Sequence, residues 1–340
     1  MRILSLGAAA TVASLAALAA PADAAEPEIT LRIQNLFSAE SLPGQNAAQF
    51  FDDLEVMSAG RIKVEPFYSS AVVKSVETFD AVVNGILDGD MTQPSYQTGK
   101  DPAFQFVGDL MGGYDTPWQL YAFFYNGGGL ELARELYAEY DMRLVGWWIH
   151  GQEALSSSRP LDGVASLEGW KFRSPPGMET TIFANMGASP VVMDFTEIFT
   201  AMESGVIDGA DASNLAVNKS LGIYDVVDHA TYPGFHSMPA DHFAIRLETW
   251  DALPDDLKRI VDVAWQKHAF QNSLSHAIEI DKTANALREA GATLHDWPAE
   301  DRAAFREAAV TAWDEYATSE MAKKFVTRHK EFLGRIGLLD

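Results

Sequence analysis

Ile29-Thr30-Leu31-Arg32-Ile33-Gln34-Asn35 alternates apolar and polar side chains with a period of two, and residues 44–58 then carry Ala47, Phe50, Phe51 and Leu54 at helical spacing. A half-buried strand feeding an amphipathic helix is the opening unit of an α/β fold. The pattern recurs with a strand at 62–67, a helix at 75–87 and a buried strand end at 90–94. A second set predicts strands at 143–150, 170–174, 191–193 and 209–212, with helices at 178–186 and 197–204. From Pro254 the sequence reads as helix almost throughout, at 254–290 and 299–334, with Trp297-Pro298 between them. Two α/β lobes with a helical tail are therefore expected.

The composition agrees with that size. The chain has 340 residues, 47% of them apolar, which is enough for a sizeable core. Lys+Arg 25 against Asp+Glu 48 gives a net charge of −23, which repels phosphate backbones and argues against nucleic acid as a partner. The chain has no cysteine, which excludes thiolate metal sites, iron–sulfur clusters, disulfides and cysteine nucleophiles. At the start stand basic Arg2, an apolar stretch over 3–20, Pro21 and the small-x-small triplet Ala22-Asp23-Ala24. This order predicts a secretory signal peptide over 1–24, cleaved near Ala24.

Enzyme signatures are missing. Gly127-Gly128-Gly129 lacks the third glycine of a dinucleotide loop, and Gly99-Lys100 lacks the upstream glycine of a phosphate loop. A binding constellation remains. Trp170-Lys171-Phe172-Arg173-Ser174-Pro175-Pro176-Gly177 puts an arginine at a strand end before a helix entered through prolines, where a guanidinium can hold a carboxylate with two parallel hydrogen bonds. Gln152 follows one strand and Asp211 ends another, and loops at such ends line the crevice between lobes. The competing expectation is a secreted hydrolase or lyase that uses Asp211 and His236 as an acid–base pair.

Several segments resemble the extracytoplasmic solute receptors of tripartite ATP-independent periplasmic (TRAP) transporters, of the DctP type. They include Ser58-Ala59-Gly60-Arg61-Ile62, Tyr96-Gln97-Thr98-Gly99-Lys100-Asp101-Pro102, Leu167-Glu168-Gly169-Trp170-Lys171-Phe172-Arg173, Gly205-Val206-Ile207-Asp208-Gly209-Ala210-Asp211 and Tyr232-Pro233-Gly234-Phe235-His236. The likeness is greatest to the 2-oxo-acid and lactate-binding branch.

The resemblance implies an α/β, two-lobed periplasmic solute-binding fold (type II-like) with long C-terminal helices bracing the lobes. Residues 25–150 and 240–281 would form one lobe, 151–239 the other, and 282–340 the bracing helices. It implies a periplasmic receptor that performs no covalent chemistry, binds a small 2-oxo or 2-hydroxy acid and delivers it to the membrane permease subunits. Arg173 would take the ligand carboxylate, with Gln152, Tyr96, Asp211 and His236 around the rest of the ligand. A sodium or calcium ion in this branch would fall to Gln152, Asp211 and Ser237. Here the sequence departs from the branch. Asp211-Ala212 replaces a Glu-Trp pair and His236-Ser237 replaces His-Glu, so the expectation is no required cofactor and room for a larger, even aromatic, acid. A homodimer through a C-terminal helix is the remaining partner expectation.

Overall fold

The computed structural model describes residues 27–339, so the signal peptide expected over 1–24 lies outside the described residues. Eleven strands are found there: β1 (Ile29–Asn35), β2 (Ile62–Tyr68), β3 (Gly89–Met91), β4 (Met142–Ile149), β5 (Ser156–Ser157), β6 (Lys171–Ser174), β7 (Ser189–Val192), β8 (Gly209–Ala210), β9 (His229–Thr231), β10 (Ala240–Arg246) and β11 (Thr293–His295). They form two sheets, ordered β2-β1-β3-β10-β4 and β11-β9-β5-β8-β6-β7.

β1 lies inside the first sheet, parallel to β2 and β3, and its apolar positions Leu31 and Ile33 are fully buried. The helix after it, Leu42–Met57, starts where the Ser41 hydroxyl accepts from the Gly44 N–H, and it buries Ala47, Phe50, Phe51 and Leu54 as the periodicity predicts. β10 has no predecessor in the sequence reading. Its run Ala-Asp-His-Phe-Ala-Ile-Arg lacks alternation because both faces are covered, and it inserts antiparallel between β3 and β4. The chain thus returns to the first sheet after building most of the second.

Two connections pass side by side between the sheets. His150 N–H donates to Pro239 O and Glu153 N–H to Ser237 O, which ties the outgoing strand end to the returning one.

The tail is helical with one exception. The helix Asp255–Glu289 runs unbroken for 35 residues, but β11 then joins the edge of the second sheet, parallel to β9, where the sequence suggested no strand. The stretch expected as one helix over 299–334 is two, Ala299–Tyr316 and Glu320–Arg335, the second capped by Ser319. They brace both halves. The first packs on the helix Met178–Asn185 beside the second sheet, and the other on Ala103–Gly108 and Gly129–Ala138 beside the first. Trp313 and His329 anchor them through bonds to the carbonyls of Met111 and Phe106. Among the described residues no helix is long and apolar enough to cross a membrane.

Candidate functional site

β6 ends at Ser174, one residue after Arg173, and its neighbours β7 and β8 put Val191 and Ala210 beside that arginine. Gly177 follows with φ +137, and a Cβ there would meet Gln105 Oε1 at 2.3 Å. Only glycine allows this approach, which lets Gln105 accept the Met178 N–H at 2.9 Å and so fixes the start of the next helix.

Arg173 and Asp211 interlock through the main chain. The Asp211 N–H donates to Arg173 O at 2.9 Å, and Arg173 Nη1 donates to Asp211 O at 2.7 Å. Nε donates to Met193 O at 3.3 Å. Arg173 is 2% exposed, and among the described residues its guanidinium forms no ion pair.

Beside it lies a cavity of about 20 Å³, room for roughly one water, lined by Arg173, Asp211, Ala212 and Ser237 together with Gln93, Ser95, Gln105, Asp109, Glu153 and Glu179. Replacing a branch tryptophan by Ala212 has not left a large void. Met111, Pro175, Pro176 and Pro239 complete the wall around the same small space.

The other expected residues divide. Tyr96 is buried next to Arg173 but behind the wall; burial pushes its phenol up and the guanidinium pulls it partly back. His236, fully buried among Phe183, Phe235 and Phe305, stands behind Asp211 with Nε2 3.3 Å from Oδ1. That separation is an ion-pair distance, but its angle makes no hydrogen bond, and both atoms are without hydrogen-bond partners. Gln152 departs from its expected place. Its Nε2 donates to the carbonyls of Tyr114 and Asp115, away from the Arg173 cavity.

The neighbouring Glu153 lines the cavity instead. The sequence reading did not single out Glu153, Asp109 or Glu179. Glu179 carries the one available signal, an acidic residue in the first turn of the helix entered through Pro175-Pro176-Gly177.

Four carboxyl groups therefore crowd one arginine, and burial decides their protonation. Burial pushes Asp109 up to about 6 despite its bonds from Ser237 and Met238. It raises Glu153 well above the usual range, with the Asp211 charge adding to the effect, and Glu179 for the same two reasons. Burial also works against the Asp211 carboxylate, but His236, Glu179 and Arg173 outweigh it and hold this group below its ordinary value. The cluster thus holds Asp211 below its ordinary value while burial raises Asp109, Glu153 and Glu179.

Contacts across the cleft hold the sheets together around this site. Ser75 Oγ donates to Asp194 Oδ2 at 2.7 Å, and Lys74 pairs with Glu197 at 3.0 Å.

Comparison with known proteins fits this geometry. Residues 34–320 match the model of the bacterial extracellular solute-binding proteins, family 7. The C4-dicarboxylate-binding periplasmic protein DctP of Rhodobacter capsulatus is 30% identical over 324 residues, covering 93% of this chain and 94% of that protein. An apo, open TRAP periplasmic solute-binding protein from Rhodobacter sphaeroides superposes with a TM-score of 0.73 at 34% identity, over 92% of this chain and 99% of that one. A TRAP solute-binding protein from Bordetella bronchiseptica, with copurified calcium and picolinate, gives a TM-score of 0.85 at 22% identity, over 92% and 94% of the two chains. The chain belongs to family 7 of the bacterial extracellular solute-binding proteins, a family of receptors and not of enzymes.

Proposed function

We propose that this receptor serves a TRAP transporter in the periplasm, holding a small organic acid by its carboxylate at Arg173 and handing it to the membrane permease. The supporting observation is the buried guanidinium beside a cavity, bonded only to main-chain carbonyls among the described residues. A guanidinium with no carboxylate oxygen at ion-pair distance can give a ligand carboxylate two parallel hydrogen bonds. The Asp211/His236 pair expected of a hydrolase or lyase serves here as a buried support, with Asp211 in the cavity wall and His236 behind it. The bodies that close on the ligand are residues 25–150 with 240–281 and residues 151–239, the latter extended by β11.

The ion of the related branch does not suit these residues. Glu153, Asp211 and His236 offer ligand atoms within 4.8 Å of one another, but one donor is an imidazole, while sodium and calcium take oxygen. Ser237 Oγ is engaged with Asp109 and Glu153, and Gln152 is turned away. We therefore read the receptor as binding its acid without a hard cation.

Pairing of two copies has its own support. Phe270, Leu274 and Ile278 form an exposed apolar stripe on the helix Asp255–Glu289, beside exposed Trp118. Sedimentation equilibrium of the protein and of Phe270→Glu tests that contact.

Calorimetry on the mature chain tests the main reading. Arg173→Lys and Arg173→Ala should each lose about 2–5 kcal/mol of acid binding, roughly 30-fold to several-thousand-fold. Variants that fold normally and bind within about threefold of wild type overturn the assignment.

A further inference from the structure

We infer that the solute is a zwitterion, an organic acid with an ammonium group close to its carboxylate, in which Arg173 takes the carboxylate and the Glu153–Asp211–Glu179 wall takes the ammonium. The inference rests on the reading of Arg173 above and names the class of acid.

The wall around the guanidinium is acidic and incompletely bonded. Glu179 is 3% exposed, lines the cavity and leaves Oε1 without a hydrogen-bond partner, while Asp211 lines the cavity with Oδ1 turned to His236 Nε2 at 3.3 Å. Buried oxygens in that condition call for a donor. A hydroxyl group of a 2-hydroxy acid donates one hydrogen bond and a keto group none, whereas an ammonium group donates three and brings a positive charge. Glu153 lines the same cavity, and its carboxyl comes within 4.8 Å of Asp211.

Charge balance favours the same class. Arg173 contributes one positive group and Asp211 one ionised carboxylate, locked side by side through their main chains. A zwitterion matches that pair charge for charge. A plain carboxylate answers Arg173 but brings a second negative charge beside Asp211, and a hard cation meets an imidazole where it needs oxygen.

Matched probes decide the matter. Calorimetry of the mature chain in chelator-treated buffer compares alanine with lactate and pyruvate, serine with glycerate, and aspartate with malate. The amino member of at least one set should bind about tenfold tighter or more, equivalent to one step of the affinity scale. Glu153→Gln and Glu179→Gln should each weaken that member about tenfold, with thermal unfolding used to confirm that the variants fold. Hydroxy or keto members that bind as tightly as the amino members, or variants that bind like wild type, overturn the ammonium assignment and leave the acid-receptor reading standing. If no probe of any set binds wild type, both readings fall for acids of this size.

Discussion

Glu153 places Oε2 2.6 Å from the hydroxyl of Ser237. The same hydroxyl lies 2.6 Å from Asp109 Oδ2. A hydroxyl has one proton to donate, so it donates to one carboxyl and accepts from the other, which must carry its own proton. At position 237, where the resembled branch has a glutamate, this chain has a serine bonded to Glu153.

Removing the bridge exposes its value. Ser237→Ala leaves two buried carboxyls without their shared partner, and each unsatisfied group costs about 1–3 kcal/mol. Urea unfolding near neutral pH should show a loss in that range. A change below about 0.5 kcal/mol, the size of an ordinary surface substitution, would count against the bridge.

Burial of these acids also sets a pH dependence. The folded state raises Asp109 to about 6 from 3.8, so its contribution is greatest below about 4 and is lost as pH rises through 6, by about 3 kcal/mol. Asp109→Asn should therefore stabilise the unliganded protein at pH ~7.5, where wild type must hold a charge or a costly proton, and should give little gain near pH ~4.5. An equal effect at both values refutes the burial argument.

Three histidines act in the opposite sense. Burial lowers His268 to about 4 and His276 and His329 to about 3, from 6.5. Their stabilisation is present above 6.5 and is lost as pH falls toward those values, roughly 2–3 kcal/mol each by pH ~4.5. Asp109, Glu153 and Glu179 gain over the same range, so the loss is read on a variant: His276→Asn should lose less stability than wild type in urea unfolding between pH ~7 and ~4.5, and an equal loss refutes the burial argument.

The cleft contacts predict a shift in conformation. Ser75→Ala removes the bond to Asp194 that joins the sheets, about 1 kcal/mol, and should weaken ligand affinity about fivefold through the closed-state population. Small-angle scattering should show a larger radius of gyration for the unliganded variant. An unchanged radius and affinity would mean that the bond does not control closure.

Metal removal is the plainest check on the donor set. Exhaustive chelation, and replacement of sodium by choline, should leave acid affinity within about threefold. A loss of tenfold or more restored by calcium or sodium would reinstate the ion.

The two-lobed α/β plan was legible because β1 and the helix after it carry unambiguous periods of two and 3.6. β10 was not, since a strand buried on both faces, Asp241 and His242 included, loses its alternation. β5 is two residues long, too short for any period to register. Arg173 and Asp211 were readable as crevice-lining candidates because strand ends are fixed by the sheet, and both line the cavity, while Glu153 lines it and Gln152 does not, on an irregular connection that carries no periodicity. Asp109 and Glu179 come from separate segments that only the closed fold brings together.

The helix Asp255–Glu289 is about 52 Å long at 1.5 Å per residue. Trp265 seats its first half against Gly146 in β4, while Ala284 and Leu287 seat its far end among Ala154, Leu215 and Ala230 of the other half. Such a rod is an axle with a bearing in each body. For the proposed receptor, relative movement would be rotation about a member of fixed length, and loaded and empty would be two settings of a switch.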